Sequence, residues 1–179
     1  MTRNRILAAL TLPAIALGMA GCQTVYENTA DNFATATLQN RAGADVGEAR
    51  FYTLAGEVTV SGAFAGLTPG TPAVHLHTTG DCSATDFTSA GGHLNPGNNQ
   101  HGTMNPQGAH LGDLPNVTID ANGNGTVSSV LRGTQANVAS AMFDADGTAI
   151  VVHEGADDYR TDPAGDAGSR VACGLVSRV

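Results

Sequence analysis

The sequence predicts an all-β domain of about eight short antiparallel strands, a β-sandwich or barrel carrying two long functional loops. Three observations lead to this. The composition suits strands and turns: 23 glycines, frequent Thr, Val, Asn and Asp, and no tryptophan. Short apolar runs are separated by turn residues at intervals typical of sandwiches and barrels. Two connections are far longer than ordinary ones, and long loops within a compact domain are usually functional or disordered. At 179 residues the chain has room for one domain of common size.

The elements follow in order. Residues 33–38 alternate weakly and open the domain; 50–54 and 57–61 are the next strands, followed by 73–77. Strand signals resume at 117–119 after a polar stretch running from Thr78 to Leu114. Asn122-Gly123-Asn124-Gly125 reads as a hairpin turn with 126–130 as its return strand, because Asn and Gly tolerate the positive φ that tight turns need. Residues 149–153 form a further strand and 171–176 the last, with the second polar loop, Glu154 to Ser169, between them. No internal repeat is visible.

The N-terminus lies outside this domain. Arg3 and Arg5 precede an apolar run from Ile6 to Leu17 that Pro13 interrupts, followed by Met19-Ala20-Gly21-Cys22. So short a run with these flanks reads as a secretory signal and not as a membrane span or anchor helix. Residues 19–22 resemble a bacterial lipobox, in which cleavage precedes a cysteine that is then lipidated; the alternative is a plain secretory signal in which Cys22 is incidental. On this reading 1–21 is the signal peptide, 22–32 a lipidated tether and 33–179 the folded domain. Gln23 after Cys22, in place of an acidic residue, points to an outer-membrane lipoprotein facing the periplasm.

With Cys22 assigned to lipid, Cys82 and Cys173 remain as an even pair in an exported chain, which suggests one disulfide. Losing Arg3 and Arg5 with the signal leaves six basic against sixteen acidic residues, a formal charge of −10, and there is no lysine. Such a surface excludes nucleic acid as a partner and leaves any anionic substrate to be guided by a few local arginines. The strand pattern marks no oligomer interface and leaves the oligomeric state open.

All six histidines fall between positions 75 and 153. His75-Leu76-His77 on a strand puts both imidazoles on one face. The first long loop adds His93, His101, His110 and Asp113, and His153 ends a strand just before the second loop. Any one of these could be an ordinary surface histidine. Seven donors of metal-binding type exceed what one ion needs; they suit two ions if one donor is shared, giving four ligands each.

Five segments carry a resemblance: Val-His-Leu-His at 74–77, Ser-Ala-Gly-Gly-His-Leu-Asn-Pro at 89–96, His-Leu-Gly-Asp-Leu-Pro-Asn at 110–116, Val-Val-His-Glu-Gly-Ala-Asp-Asp at 151–158 and Gly-Ser-Arg-Val-Ala-Cys-Gly at 168–174. In this order they resemble the copper/zinc superoxide dismutases, bacterial branch, over nearly the whole domain. The resemblance implies a Greek-key barrel that converts superoxide to oxygen and hydrogen peroxide by alternate reduction and oxidation of copper. It implies copper on His75, His77, His93 and His153, and zinc on His93, His101, His110 and Asp113, with His93 shared. Asp157 would link a copper histidine to a zinc histidine, Arg170 would bind superoxide as the catalytic residue beside His93, and a Cys82–Cys173 bridge would pin the loop to the final strand. The second loop departs from the eukaryotic pattern: it is short, lacks the Lys and Glu cluster that steers substrate, and retains only Arg160 as a replacement, opposed by Asp162 and Asp166. Ala164 stands where the family usually has a threonine. Two rivals share the fold, a copper carrier that does not turn over and a metal-free structural sandwich. The former needs no anion-binding arginine and the latter keeps no histidines, so Arg170 and the seven donors argue against both.

Overall fold

A computed structural model describes residues 30–179; the expected signal segment 1–21, Cys22 and the tether as far as residue 29 lie outside them. Eight strands form: β1 Asp31–Asn40, β2 Asp45–Leu54, β3 Glu57–Phe64, β4 Val74–His77, β5 Gly125–Val130, β6 Ala149–His153, β7 Arg170–Leu175 and β8 Ser177–Arg178. All pairings are antiparallel, in the order β4-β6-β7-β1-β2-β3-β5, with β8 added to β1. β1 begins two residues before Phe33, where the domain was expected to open. The chain crosses from β3 near one edge of the sheet to β4 at the other, and returns to add β5 beside β3, which is Greek-key connectivity. The sheet curls into a half-barrel with β4 and β5 as its edge strands.

Side-chain alternation builds the core. Ala34, Ala36 and Leu38 of β1, Val58 and Val60 of β3, and Leu76 of β4 point inward and are fully or almost fully buried. β6 is buried on both faces: Ile150 and Val152 enter the main core, while Ala149 and Val151 pack outside it against Phe87, Ala90 and Cys173. A strand covered on both sides reads as a continuous apolar run, which Ala149–Val152 is.

Two sequence expectations change. Residues 117–119 form no strand; Ile119 makes a single isolated bridge to Gly70, with N–H···O distances of 2.8 and 3.1 Å. The Asn/Gly turn does form, closed by Asp120 N–H to Asn124 O at 2.8 Å, but its return strand β5 pairs with β3. The sheet offers β5 a six-residue partner there, which outweighs the local hairpin. In addition, a helix not expected from the sequence, α1 Gln135–Met142, follows β5. Thr134 caps it by accepting from the Asn137 N–H at 3.3 Å, and Val138 and Met142, four residues apart, bury on the core side.

Cys82 and Cys173 are bonded, joining the first long loop to β7 across 91 residues of chain. Closing so long a loop removes about 4–5 kcal/mol of unfolded-state entropy on a chain-entropy estimate. Cys82→Ser should therefore lower the free energy of unfolding by several kcal/mol, and reductant should lower the parent's denaturation midpoint while leaving the variant's unchanged. A parent whose midpoint does not move under reductant would contradict this.

Candidate metal centre

The centre is assembled along the free edge of β4. Leu76 faces the core, so His75 and His77 face outward, yet both are buried. What covers them is the first long loop, which pairs with this edge by its backbone. Leu76 N–H donates to Gly112 O at 2.9 Å, Leu94 N–H to Leu76 O at 2.8 Å, and Thr78 N–H to Gly92 O at 2.9 Å. These bonds set Asp113 opposite His75 and His93 opposite His77. Gly112 permits the approach, since a β-carbon there would collide with Leu76 O. His153, last in β6, is brought alongside because β6 is β4's neighbour in the sheet.

Two groups of four donors result, with His93 in both: His75, His77, His93 and His153, and His93, His101, His110 and Asp113. Hydrogen bonds assign the tautomers of the first group. His75 Nε2–H donates to Asp157 Oδ2 at 3.0 Å, His77 Nδ1–H to Gly91 O at 3.0 Å and His153 Nδ1–H to Gly168 O at 3.3 Å. The opposite ring nitrogens are left as bare lone pairs facing one another; His77 Nε2 and His153 Nε2 are 3.3 Å apart. In the second group the Nδ1 atoms of His93, His101 and His110 lie 3.0, 3.1 and 3.2 Å from Asp113 Oδ1. Donors arranged tetrahedrally about a zinc ion are about 3.3 Å apart. Asp113 Oδ2 is held by the N–H groups of Gly102 and His110 at 2.9 and 3.0 Å, and His110 Nε2–H donates to Asn99 O at 3.2 Å.

Three buried ring nitrogens, His75 Nδ1, His93 Nε2 and His101 Nδ1, have no hydrogen-bond partner. Leaving such atoms unpaired costs about 1–3 kcal/mol each. Cations offset that cost, and the donor set, imidazole with one carboxylate, suits copper and zinc.

Electrostatics leave three of the histidines ready to bind a cation. Burial, aided by neighbouring imidazoles, pushes His77 down to about 2, His153 to about 3 and His93 to about 4. These rings are neutral at pH 7. Burial pulls His101 the same way, but the Asp113 and Asp157 carboxylates beside it outweigh burial and lift it to about 9. Burial works against ionisation of Asp113 and Asp157, yet the histidines and N–H groups around them hold both carboxyls well below the usual range.

Asp157 joins the two groups. Its Oδ2 accepts from His75, its Oδ1 from His101 Nε2–H at 2.9 Å, and it is 3% exposed. Asn116 clamps the Asp157 backbone in both directions, at 2.9 Å each, and Asp157 Oδ1 also accepts from Tyr159 N–H at 2.6 Å. Asn116 N–H in turn donates to Tyr159 Oη at 2.8 Å. Arg170 opens β7 and aims its guanidinium at two carbonyls, Phe87 O and Gly91 O, both at 2.6 Å. Gly91 O thus orients both Arg170 and His77. His77, His93, His153, Pro163, Ala164 and Arg170 line a hollow of about 380 Å³. Arg160, the expected replacement for the missing lysines, is exposed and does not line it.

The sequence profile of the copper/zinc superoxide dismutase family matches residues 46–176. The chain belongs to this family. It is an enzyme of superoxide dismutation with copper and zinc as cofactors. A superoxide dismutase [Cu-Zn] of Aquifex aeolicus is 39% identical over 148 residues, 79% of this chain and 85% of that one. The superoxide dismutase [Cu-Zn] of Caulobacter vibrioides is also 39% identical, over 91% of this chain and 96% of its own. The crystal structure of a SOD-like protein from Bacillus subtilis superposes with a TM-score of 0.72 at 37% identity, covering 79% of this chain and 96% of that one.

The structure brings together every expected site residue among those described: seven donors, Asp157, Arg170 and the disulfide. Sequence reasoning missed the Asn116–Tyr159 clamp and the Gly91 carbonyl. Asn116 falls within a recognised segment, but no residue type marks a backbone carbonyl as an orienting group.

Gly165 tests the dismutase's internal bridge. Its φ is +66°, and an added β-carbon would overlap Asp157 Oδ1 and sit 2.7 Å from His101 Nε2. Gly165→Ala should weaken zinc retention about 10- to 100-fold in a chelator competition, the size typical of losing a carboxylate that orients a metal-bound histidine. Gly168→Ala, with φ at +75° but its nearest added contact at 3.9 Å, should not. Equal zinc retention in the two variants would show that Asp157 does not govern it.

Proposed function

We propose that copper is held by His75 Nδ1, His77 Nε2, His93 Nε2 and His153 Nε2, and zinc by the Nδ1 atoms of His93, His101 and His110 with Asp113 Oδ1. One observation carries this division: the seven donors fall into two clusters of four that share His93 through its opposite ring nitrogens. When bound, copper would supply the redox change by which one superoxide is oxidised to oxygen and the next reduced to hydrogen peroxide.

The chain's own residues perform the rest. Arg170, fixed by two carbonyls, presents its remaining N–H donors to the anion in the hollow. His93 lines that hollow, and when its Nε2 is not engaged by copper that atom can hold one of the two protons the peroxide product takes up, solvent supplying the other. Asp157 keeps the His75 and His101 rings turned with Nε2–H toward itself, which leaves Nδ1 of each for its donor cluster.

Metal analysis beside activity tests the division. Asp113→Ala should lose zinc and keep some copper and some dismutation, whereas His153→Ala should keep zinc and lose nearly all activity. Arg170→Ala should keep both metals while its rate falls about 100-fold, as when one preorganised donor is removed. Parental activity in His153→Ala, or metal loss in Arg170→Ala, would reassign these residues.

The N-terminal motif supports a second part of the reading: lipidation of Cys22, a tether, and service in the cell envelope as an outer-membrane lipoprotein facing the periplasm, protecting it from superoxide. Among the described residues no helix is long and apolar enough to cross a membrane. Cys22→Ala should release active enzyme from the membrane fraction; a variant that sediments with membranes as the parent does would refute the lipid anchor.

A further inference from the structure

An acidic protein without lysine must still attract an anion. A second hollow, of about 270 Å³, adjoins the metal centre's hollow, and Arg170 lines both. Its other walls are Arg41, Asp86, Thr88, Gly168 and Ser169. Arg41 reaches it through strand register: Asn40, the last residue of β1, pairs with Ala172 of β7, so the next residue of the β1–β2 turn falls beside the start of β7. There Arg41 Nε–H donates to Arg170 O at 3.0 Å, while the side chain as a whole stays exposed.

The other described arginines are placed elsewhere. Arg50 pairs with Glu48 at 2.8 Å, and Arg178 lies 3.9 Å over the Phe143 ring. Arg132 lines clefts beside α1 and β5, and Arg160 lines neither hollow. Asp86 lines the same hollow close enough to act on both Arg41 and Arg170, and Asp162 lines the metal centre's hollow; both carboxylates work against the two cations.

We propose that Arg41 is a substrate-attracting residue: with Arg170 it forms a two-cation path along which superoxide enters, a path that Asp86 partly neutralises. This rests on the reading of Arg170 as the group that binds superoxide. Fields of this kind act within about 8–10 Å at physiological salt and raise association rates without touching the chemical step. Arg41 thereby does the work expected of Arg160.

The test uses the copper- and zinc-loaded protein, with two readouts: kcat/KM for superoxide at low and high salt, and the Kd of azide, a monovalent anion probe, followed by the copper absorption band. Arg41→Gln should lower kcat/KM about two- to fivefold at low salt, with the gap closing near 0.5 M, and should weaken azide by a similar factor. Arg41→Lys, which keeps the charge, should match the parent. Asp86→Asn should move both readouts in the opposite direction, and Arg50→Gln should change neither. The proposal is overturned if Arg41→Lys is as slow as Arg41→Gln, since the bond to Arg170 O would then be the whole effect. It is also overturned if Arg41→Gln behaves as the parent. In that event Arg170→Gln separates the causes. If it weakens both readouts, only the role of Arg41 falls; if it changes neither, the reading of Arg170 falls too.

Discussion

The backbone pairing of Leu76 is the constraint on which the metal centre depends. Its side chain is buried in the core, while its N–H and C=O are taken by Gly112 and Leu94 from a loop more than thirty residues long. Edge strands expose unpaired backbone groups, and here the protein satisfies them with its own loop. The same bonds that cover the edge set His93 and Asp113 beside His77 and His75. Ligand geometry thus follows from strand geometry, and the loop is long because it must lie along β4 and also bring His101 and His110 back to the same point.

The second loop acts as a clasp. Asp157 spans the two donor groups, Asn116 grips its backbone, and Asp162 Oδ1 accepts from His101 N–H at 2.6 Å. Six imidazoles, each at most 8% exposed, and bare nitrogen lone pairs make a poor interior for a metal-free protein. The clasp and the disulfide hold that arrangement, and metal binding contributes folding free energy as it does wherever buried ligands have no other partner. Stability and cofactor loading are therefore coupled in this domain.

Electrostatics divide by distance. The chain as a whole is acidic, which repels an anion at long range, whereas the metal centre's hollow carries Arg170 on its wall, opposed there by Asp162, with Arg41 next to Arg170 in the adjoining hollow. Because screening limits exposed charges to short distances, a few placed cations can oppose a larger net charge.

The sequence alone determined the class of the fold, most strands, the two long loops, and the chemical type and number of the donors. Alternation settles which side of β4 carries His75 and His77, and the spare-donor count points to a shared ligand; both are local properties of residue type and spacing. The disulfide was legible by elimination, and the ligand sets, Asp157 and Arg170 came through resemblance. Helix α1 was missed because its apolar signal is two residues, Val138 and Met142, and its formation rests on the core they enter. The strand expected at 117–119 failed because β5 found a longer partner in β3. Only the tertiary structure decided which ring nitrogens face inward, since that is set by Gly91 O, Gly168 O and Asp157, groups far away in the chain. It also decided that Arg41, and not Arg160, stands beside Arg170, because strand register places one in the hollow while the second loop leaves the other in solvent.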